Sequence, residues 1–376
     1  MPTVNNGGPL FCGLAVGPCG SSGRAQEGQL AVGALIHQGP RPPRAILRPM
    51  PGLPKRHLSL LAAGFLSSAT VAAAQSTADL RAAARYSTEH SGDAVLVFRH
   101  DSLVLEDYQN GFDGRSPHPL ASGTKAFSCV LAALGAADGL LTLDEPVART
   151  LPELGTDSLL RRVTIRQLLN LTSGLAPDAT GRGLTLVSRP GQRFAYGGTS
   201  FAVFGALLSR KLQGEDLVAY LTRRVFTPLG LSAADWQRDG MGQPGLASGA
   251  ALTARAWGAF GLLLLDRGRW RGRQLVPGAA LDQCGRGSAA NPGYGLGLWL
   301  NPAEPRSPPP PGVERAGPKD RVIQAPDLPH DLRLAAGTGG QRLYILPSAD
   351  LVVVRFGHNT GPDYRDDVFL RMLLGR

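Results

Sequence analysis

A chain of 376 residues that is 43% hydrophobic and 18% charged has the material for one large domain or two moderate ones, with ample core. Its formal charge of +10 comes from 39 basic and 29 acidic residues. The surplus is mostly dispersed arginine, with one short cluster at Arg269–Arg273 and no basic stripe interleaved with aromatics, which argues against a nucleic-acid partner.

Residues 1–49 show no helical or strand periodicity. Lys55, Arg56 and His57 then form a basic patch, Leu58 to Val71 an apolar run, and Ala72 to Ala74 a group of small residues. That is the order of a secretory signal peptide, and the run is too short to span a bilayer comfortably. The expectation is that Met50 is the true start, with 1–49 as upstream translation or a disordered leader. Residues 50–74 then form a signal peptide, and residues 75–376 a mature periplasmic or secreted domain with no membrane span left. An internal Ala/Leu helix behind a disordered tail is the alternative. Cys12 and Cys19 fall in the leader. Cys129 and Cys284 alone make no disulfide framework, and Cys129 reads as a buried free cysteine.

Ser76 to Ser87 reads as a helix. Asp93–His100 and Leu103–Tyr108 read as a strand pair joined at His100–Ser102. Ala126–Ala137 is small and apolar, a buried helix beginning near Ser122. Further helices are expected at Thr164–Leu171, Phe201–Leu212, Asp216–Val225 and Leu252–Leu265. Tyr294–Leu300 alternates glycine with large residues and reads as a strand. Residues 302–329 hold nine prolines and read as a loop. Arg342–Leu346 and Leu351–Phe356 form a hairpin around Pro347–Asp350, and Asp363–Leu374 is an amphipathic closing helix. Strands at both ends and helices between them predict an α/β (α+β) unit with a helical subdomain inserted, roughly 120–265.

Ser122 and Lys125 stand three residues apart at the head of the apolar helix, a spacing that brings hydroxyl and amine together. A lysine buried there tends toward the neutral amine, and a base beside a hydroxyl activates a nucleophile. Ser-x-x-Lys is a short pattern, and Ser122 as a plain cap with Lys125 in solvent is the alternative. Lysine is rare here, however, with four among the 39 basic residues, so chance matches are few. Tyr196, on a loop after Pro190-Gly191, offers a phenol that can take a serine proton, or else packs a turn. The stretch Thr338-Gly339-Gly340-Gln341 is either an ordinary glycine turn or a place where backbone amides approach a ligand.

Together the three stretches resemble the penicillin-recognising serine hydrolases, and among them the class C β-lactamase-like esterases, peptidases and amidases. Leu140–Val147, Val163–Leu169 with Thr172–Leu175, Leu252–Arg255 and Gly293–Trp299 strengthen the likeness, which spans most of residues 90–376. The resemblance implies acylation of Ser122, proton exchange through Lys125 and Tyr196, and a mainly antiparallel sheet flanked by helices, with the site against a helical domain. It places oxyanion or substrate contacts at Thr338, Gly339, Gly340 and Gln341, with a small-molecule ester or amide as substrate and no metal or cofactor. Two departures stand out. The family's second motif, Tyr-x-Asn or Tyr-x-Ser, here ends in Gly198, and the third lacks the lysine of Lys-Thr-Gly. Esters or amides of small or hydrophobic acyl groups are therefore expected ahead of β-lactams. A D-alanyl peptidase, a weak β-lactamase and a non-catalytic peptidoglycan-binding relative are the alternatives. A Ser-His-Asp hydrolase is disfavoured, because the chain holds no Gly-x-Ser-x-Gly. The oligomeric state is left open.

Overall fold

Ser76 opens the first helix by reciprocal capping: its hydroxyl accepts from the Asp79 amide while the Asp79 carboxylate accepts from the Ser76 amide. The computed structural model describes residues 76–177, 184–232, 235–303, 307–317, 322–358 and 364–376. The leader, the signal-like stretch and the expected start at Gln75 lie outside the described residues.

Helix α1 (Thr77–Glu89) leads into β1 (Gly92–Arg99), which turns at His100 and Asp101 into β2 (Ser102–Tyr108). Both turn residues have positive φ, 46° and 60°, the backbone a two-residue hairpin demands. After β3 (His118–Pro119) a 3-10 turn over Ala121–Lys125 runs directly into α2 (Ala126–Ala137). A short helix α3 (Ile165–Leu169) is capped by Thr164 and Gln167 and stops earlier than its spacing predicted, where Leu171 takes φ 60°. Next come α4 (Thr199–Lys211), then α5 (Leu217–Leu221) and α6 (Thr227–Leu229), joined by a π-helical stretch at Thr222–Phe226. Strands β4 (Asp235–Trp236) and β5 (Ala250–Leu252) pair with β3 as a small sheet in the order β3-β5-β4. The helix expected from Leu252 begins only at α7 (Ala254–Leu265). Thr253 accepts from the Ala256 amide as its cap, so Leu252 ends a strand instead.

The hairpin β6 (Arg269–Trp270) and β7 (Arg273–Gln274) and the short α8 (Gly278–Asp282) follow. The chain closes with β8 (Trp299–Leu300), β9 (Arg333–Gly337), β10 (Gln341–Leu346), β11 (Leu351–Gly357) and α9 (Asp366–Leu373). Of the strand expected over Tyr294–Leu300 only the last two residues pair in the sheet, because the chain kinks at Gly297 with φ 83°.

The main sheet is antiparallel throughout, ordered β2-β1-β11-β10-β9-β8, so the first hairpin pairs with the last. Helix α7 lies on one face so closely that side chains at Gly258 and Gly261 would collide with Phe98, Val352 and Leu343. From the same helix Trp257, fully buried, stacks on Phe356 with ring centroids 5.7 Å apart and abuts Gly123. The expected class therefore holds, as mixed helix and antiparallel sheet. Trp257 ties that sheet to the turn that carries Ser122.

Candidate active site

Ser122 lies in the 3-10 turn, where residues i and i+3 eclipse. Its hydroxyl accordingly meets Lys125 Nζ at 3.0 Å. The same Nζ also donates to the carbonyl of Ala247 at 2.8 Å, and Lys125 is only 4% exposed. Its Nζ stands 5.0 Å from the ring centre of Tyr196 and 5.5 Å from that of Phe201, so aromatic faces supply part of what water would. The Ala247 carbonyl was not legible in the sequence, since a backbone acceptor 122 residues away leaves no local signal.

The turn is held from both sides. Leu120 donates to the Ala250 carbonyl at 2.8 Å, and the Thr124 hydroxyl donates to Ala121 O at 2.7 Å while accepting from the Ala250 amide at 3.2 Å. Ala121 is thereby kept at φ 47°, a region unfavourable for a residue with a Cβ by about 1–2 kcal/mol. Such an outlier survives because its neighbours over-determine it. The first amides of the turn, Ser122's among them, have no carbonyl within the helix to satisfy them.

Tyr196 comes from a loop to within reach of the same hydroxyl, an interaction that favours its phenolate. Desolvation pushes the Tyr196 phenol above its ordinary value, and the Ser122 hydrogen bond and the positive charge of Arg342 pull partly back. The ring is 36% exposed, so one edge faces solvent. Its other side is an aromatic wall: Trp299 stacks at 5.2 Å, Tyr294 meets it edge-on at 6.0 Å, and Phe194 stands at 6.5 Å. Gly197 cannot carry a side chain, since a Cβ would collide with the Pro177 carbonyl. Ser200, four residues beyond Tyr196, pairs its hydroxyl with that of Ser173 at 2.9 Å and is buried.

Thr338, Gly339 and Gly340 form the turn between β9 and β10, both glycines at φ near 85° (84° and 86°). Gly337, at the end of β9, presses on the segment before the serine: a Cβ there would collide with Leu120 O and touch Ala121 Cβ. The glycine turn thus stands beside the turn that carries Ser122. Gln341 is 3% exposed, and its amide group is committed to the backbone of Thr338 and Gly357. Arg342 follows, a cation the motif reading passed over. Its guanidinium is engaged by Asp366 at 2.7 Å and by the carbonyls of Gly337 and Gln341 at 3.0 and 3.1 Å. Among the described residues no cluster of His, Cys, Asp and Glu is arranged to hold a metal.

The family model for beta-lactamase matches residues 75–375. The chain belongs to the beta-lactamase family. Members of that family are serine hydrolases, so hydrolase is the activity class. Solved structures agree on the fold. A β-lactamase/D-alanine carboxypeptidase from Pseudomonas syringae superimposes with a TM-score of 0.59 at 16% identity, covering 79% of this chain and 98% of its own. A beta-lactamase from Mycobacterium bovis gives 0.56 at 21% identity, covering 78% and 96%. EstCE1, a hydrolase with promiscuous acyltransferase activity, gives 0.58 at 18% identity, covering 80% and 99%. Within the beta-lactamase family, this chain combines a Ser-x-x-Lys pair in contact with a nearby tyrosine and a third motif whose one cation is already spoken for by Asp366.

Proposed function

We propose that this protein forms an acyl-enzyme on Ser122 from esters or amides of small or hydrophobic acids. The observation that carries the reading is that one hydroxyl contacts Lys125 Nζ and the Tyr196 phenol together. Ser122 Oγ attacks the substrate carbonyl carbon, and its proton passes to the Lys125–Tyr196 unit in the form that is one proton short, the neutral Lys125 amine or the Tyr196 phenolate. Collapse of the tetrahedral intermediate breaks the bond to the alcohol or amine, which leaves with that proton. Water then attacks the acyl-enzyme, gives a proton to the same unit, and the proton returns to Ser122 as the acid departs. The developing oxyanion is met by amides of the Ser122 turn and of Thr338–Gly340.

The ester preference rests on Arg342, whose charge is turned to Asp366 and two carbonyls and is not offered to a substrate carboxylate. A hollow of about 640 Å³ lies beside Ala121, with a mixed lining of Trp236, Ser248, Gly249 and Ala250 together with Asp235 and Gln237. The test is to label the purified chain with a fluorescent phosphonate and to compare kcat/KM for p-nitrophenyl acyl esters and a cephalosporin. We expect labelling that Ser122→Ala abolishes and Ser200→Ala leaves nearly intact, with ester rates well above the cephalosporin rate. A cephalosporin rate equal to the ester rate would sink the substrate assignment, and no labelling would turn the reading toward a binding relative.

Export to the periplasm or medium is part of the same proposal. The order of basic, apolar and small residues over 55–74 supports it, and so does a disulfide between Cys129 and Cys284, a bond that oxidising compartments maintain.

A further inference from the structure

Arg355 in β11 is completely buried, yet among the described residues it has no carboxylate partner. Its Nε donates to Ser87 Oγ at 3.1 Å, one terminal nitrogen to His90 O at 2.6 Å, and the other to Gly340 O at 2.9 Å. The guanidinium carbon lies 3.9 Å from the ring centre of Tyr364. Burying a cation on carbonyls, a hydroxyl and a π face is costly, and an apolar side chain of similar volume fills such a space at no such cost. Arg355 therefore calls for a reason other than packing.

The reason lies in what it holds. Gly340 closes the glycine turn between β9 and β10, and the carbonyls that lead into that turn are gripped in the same manner. Gln341 Nε2 donates to Thr338 O at 3.3 Å and to Gly357 O at 2.6 Å, while its Oε1 accepts from the Gly357 amide at 3.2 Å. Arg342 donates to Gly337 O at 3.0 Å. In a trans peptide the carbonyl of one residue and the amide of the next point in opposite directions. Drawing back the carbonyls of Gly337 and Thr338 therefore turns the amides of Thr338 and Gly339 the other way. The strand end that carries them is the one pressed on Leu120 and Ala121, next to Ser122.

We propose that Arg355 and Gln341 are positioning residues for acylation: Gln341 pins the Thr338 carbonyl and so aims the Gly339 amide at the oxyanion formed on the substrate carbonyl, and Arg355 anchors the far end of the same turn at the Gly340 carbonyl, so that the turn keeps that orientation. The proposal rests on the reading of Ser122 as the acylated nucleophile. It assigns to Gln341 an action through the backbone, with no contact to substrate.

The test uses the full chain, p-nitrophenyl butyrate as substrate and an alkyl boronic acid as an analogue of the tetrahedral intermediate. Removing one oxyanion donor typically costs 10²–10³ in kcat, and loosening its support should cost about 10–100-fold. We expect that loss in kcat for Arg355→Met and Gln341→Met, with KM within about two-fold of the parent. Boronate affinity should fall in step with kcat/KM. Arg355→Lys should recover the thermal midpoint but not kcat, because a point charge cannot reach three separated acceptors. Folded variants with undiminished kcat, or with reduced kcat but unchanged boronate affinity, would overturn the assignment. Should Arg355→Met fail to fold, Gln341→Met carries the same test. A parent chain that takes up no phosphonate overturns the hydrolase reading and this assignment with it, whereas a labelled parent beside fully active variants overturns this assignment alone.

Discussion

Ser122 and Lys125 meet because a 3-10 turn, not the first turn of an α-helix, carries them, and Tyr196 arrives from a separate loop. Local spacing made the first contact legible. The second was legible only through family likeness, since nothing near Tyr196 in the chain points at Ser122. The partners that complete the site, the Ala247 carbonyl and the Arg342 charge, were invisible for the same reason. If Lys125 and Tyr196 act as one unit, their removals do not multiply. Lys125→Ala and Tyr196→Phe should each lower kcat/KM by about 10²-fold or more, and the double variant should be little worse than the poorer single one. The phenol adds a pH signature. Its folded value is raised, so it holds its proton through neutral pH, and the phenolate fraction grows only as alkaline pH approaches that value. An increase of kcat/KM in the alkaline range is therefore expected, and Tyr196→Phe should flatten it. Independent, multiplying losses, or an alkaline rise that survives in Tyr196→Phe, would reject the relay.

At the scale of elements, the sheet strands with continuous β-branched or aromatic runs were readable, and those without were not. Leu351–Gly357 is buried throughout and announced itself, whereas β9 reads Arg-Leu-Ala-Ala-Gly and carries no such run. Its alanines and glycine are small because β9 runs beside the Ser122 turn, a tertiary cause with no local signature. The same closeness gives a prediction. Gly337→Ala would drive a methyl group into the Leu120 carbonyl, and that carbonyl belongs to a backbone already held at Ala250 and strained at Ala121. Neither side can give way freely. Overpacking of this kind costs about 1–3 kcal/mol, and the shift should pass to Ser122. Thermal denaturation should show the loss, and phosphonate labelling should slow by about ten-fold or more, on the scale of a 1 Å misplacement. Labelling at the parent rate would show that β9 does not set the position of the serine.

Across the whole molecule, the placement of strands at the two ends of the chain was enough to predict one sheet with helices inserted between them. Several surface arginines are held in ion pairs, as in Arg223 with Glu215, Arg238 with Asp216 and Arg267 with Asp282. The cysteines were misjudged. Cys129 was expected to be a free buried thiol, but it is bonded to Cys284 across 155 residues, with Cα atoms 5.8 Å apart. That separation lies within the ordinary range for the bond, but spacing in the sequence could not reveal it. The bond fastens α2, just beyond Lys125, to the segment ending at Gly285. There Cys284 O accepts from the Leu296 amide at 3.2 Å, and Gly297 packs on the Lys125 carbonyl with no room for a Cβ. The cross-link therefore joins the helix that follows Ser122 to the loop that leads into the aromatic wall around Tyr196. Loss of a native disulfide costs about 2–5 kcal/mol, and for a domain of this size each kcal/mol moves the midpoint by about 2 °C. Cys129→Ala/Cys284→Ala should thus melt about 4–10 °C below the parent. Both sulfurs are buried, so the reduced parent should form only when the chain is opened by denaturant and then refolded with thiols present. Reduced parent keeps the side-chain volume that the alanines remove, and a matching drop there assigns the effect to the cross-link and not to a cavity. An oxidised and a reduced parent with the same midpoint would show that packing alone holds α2 to its wall.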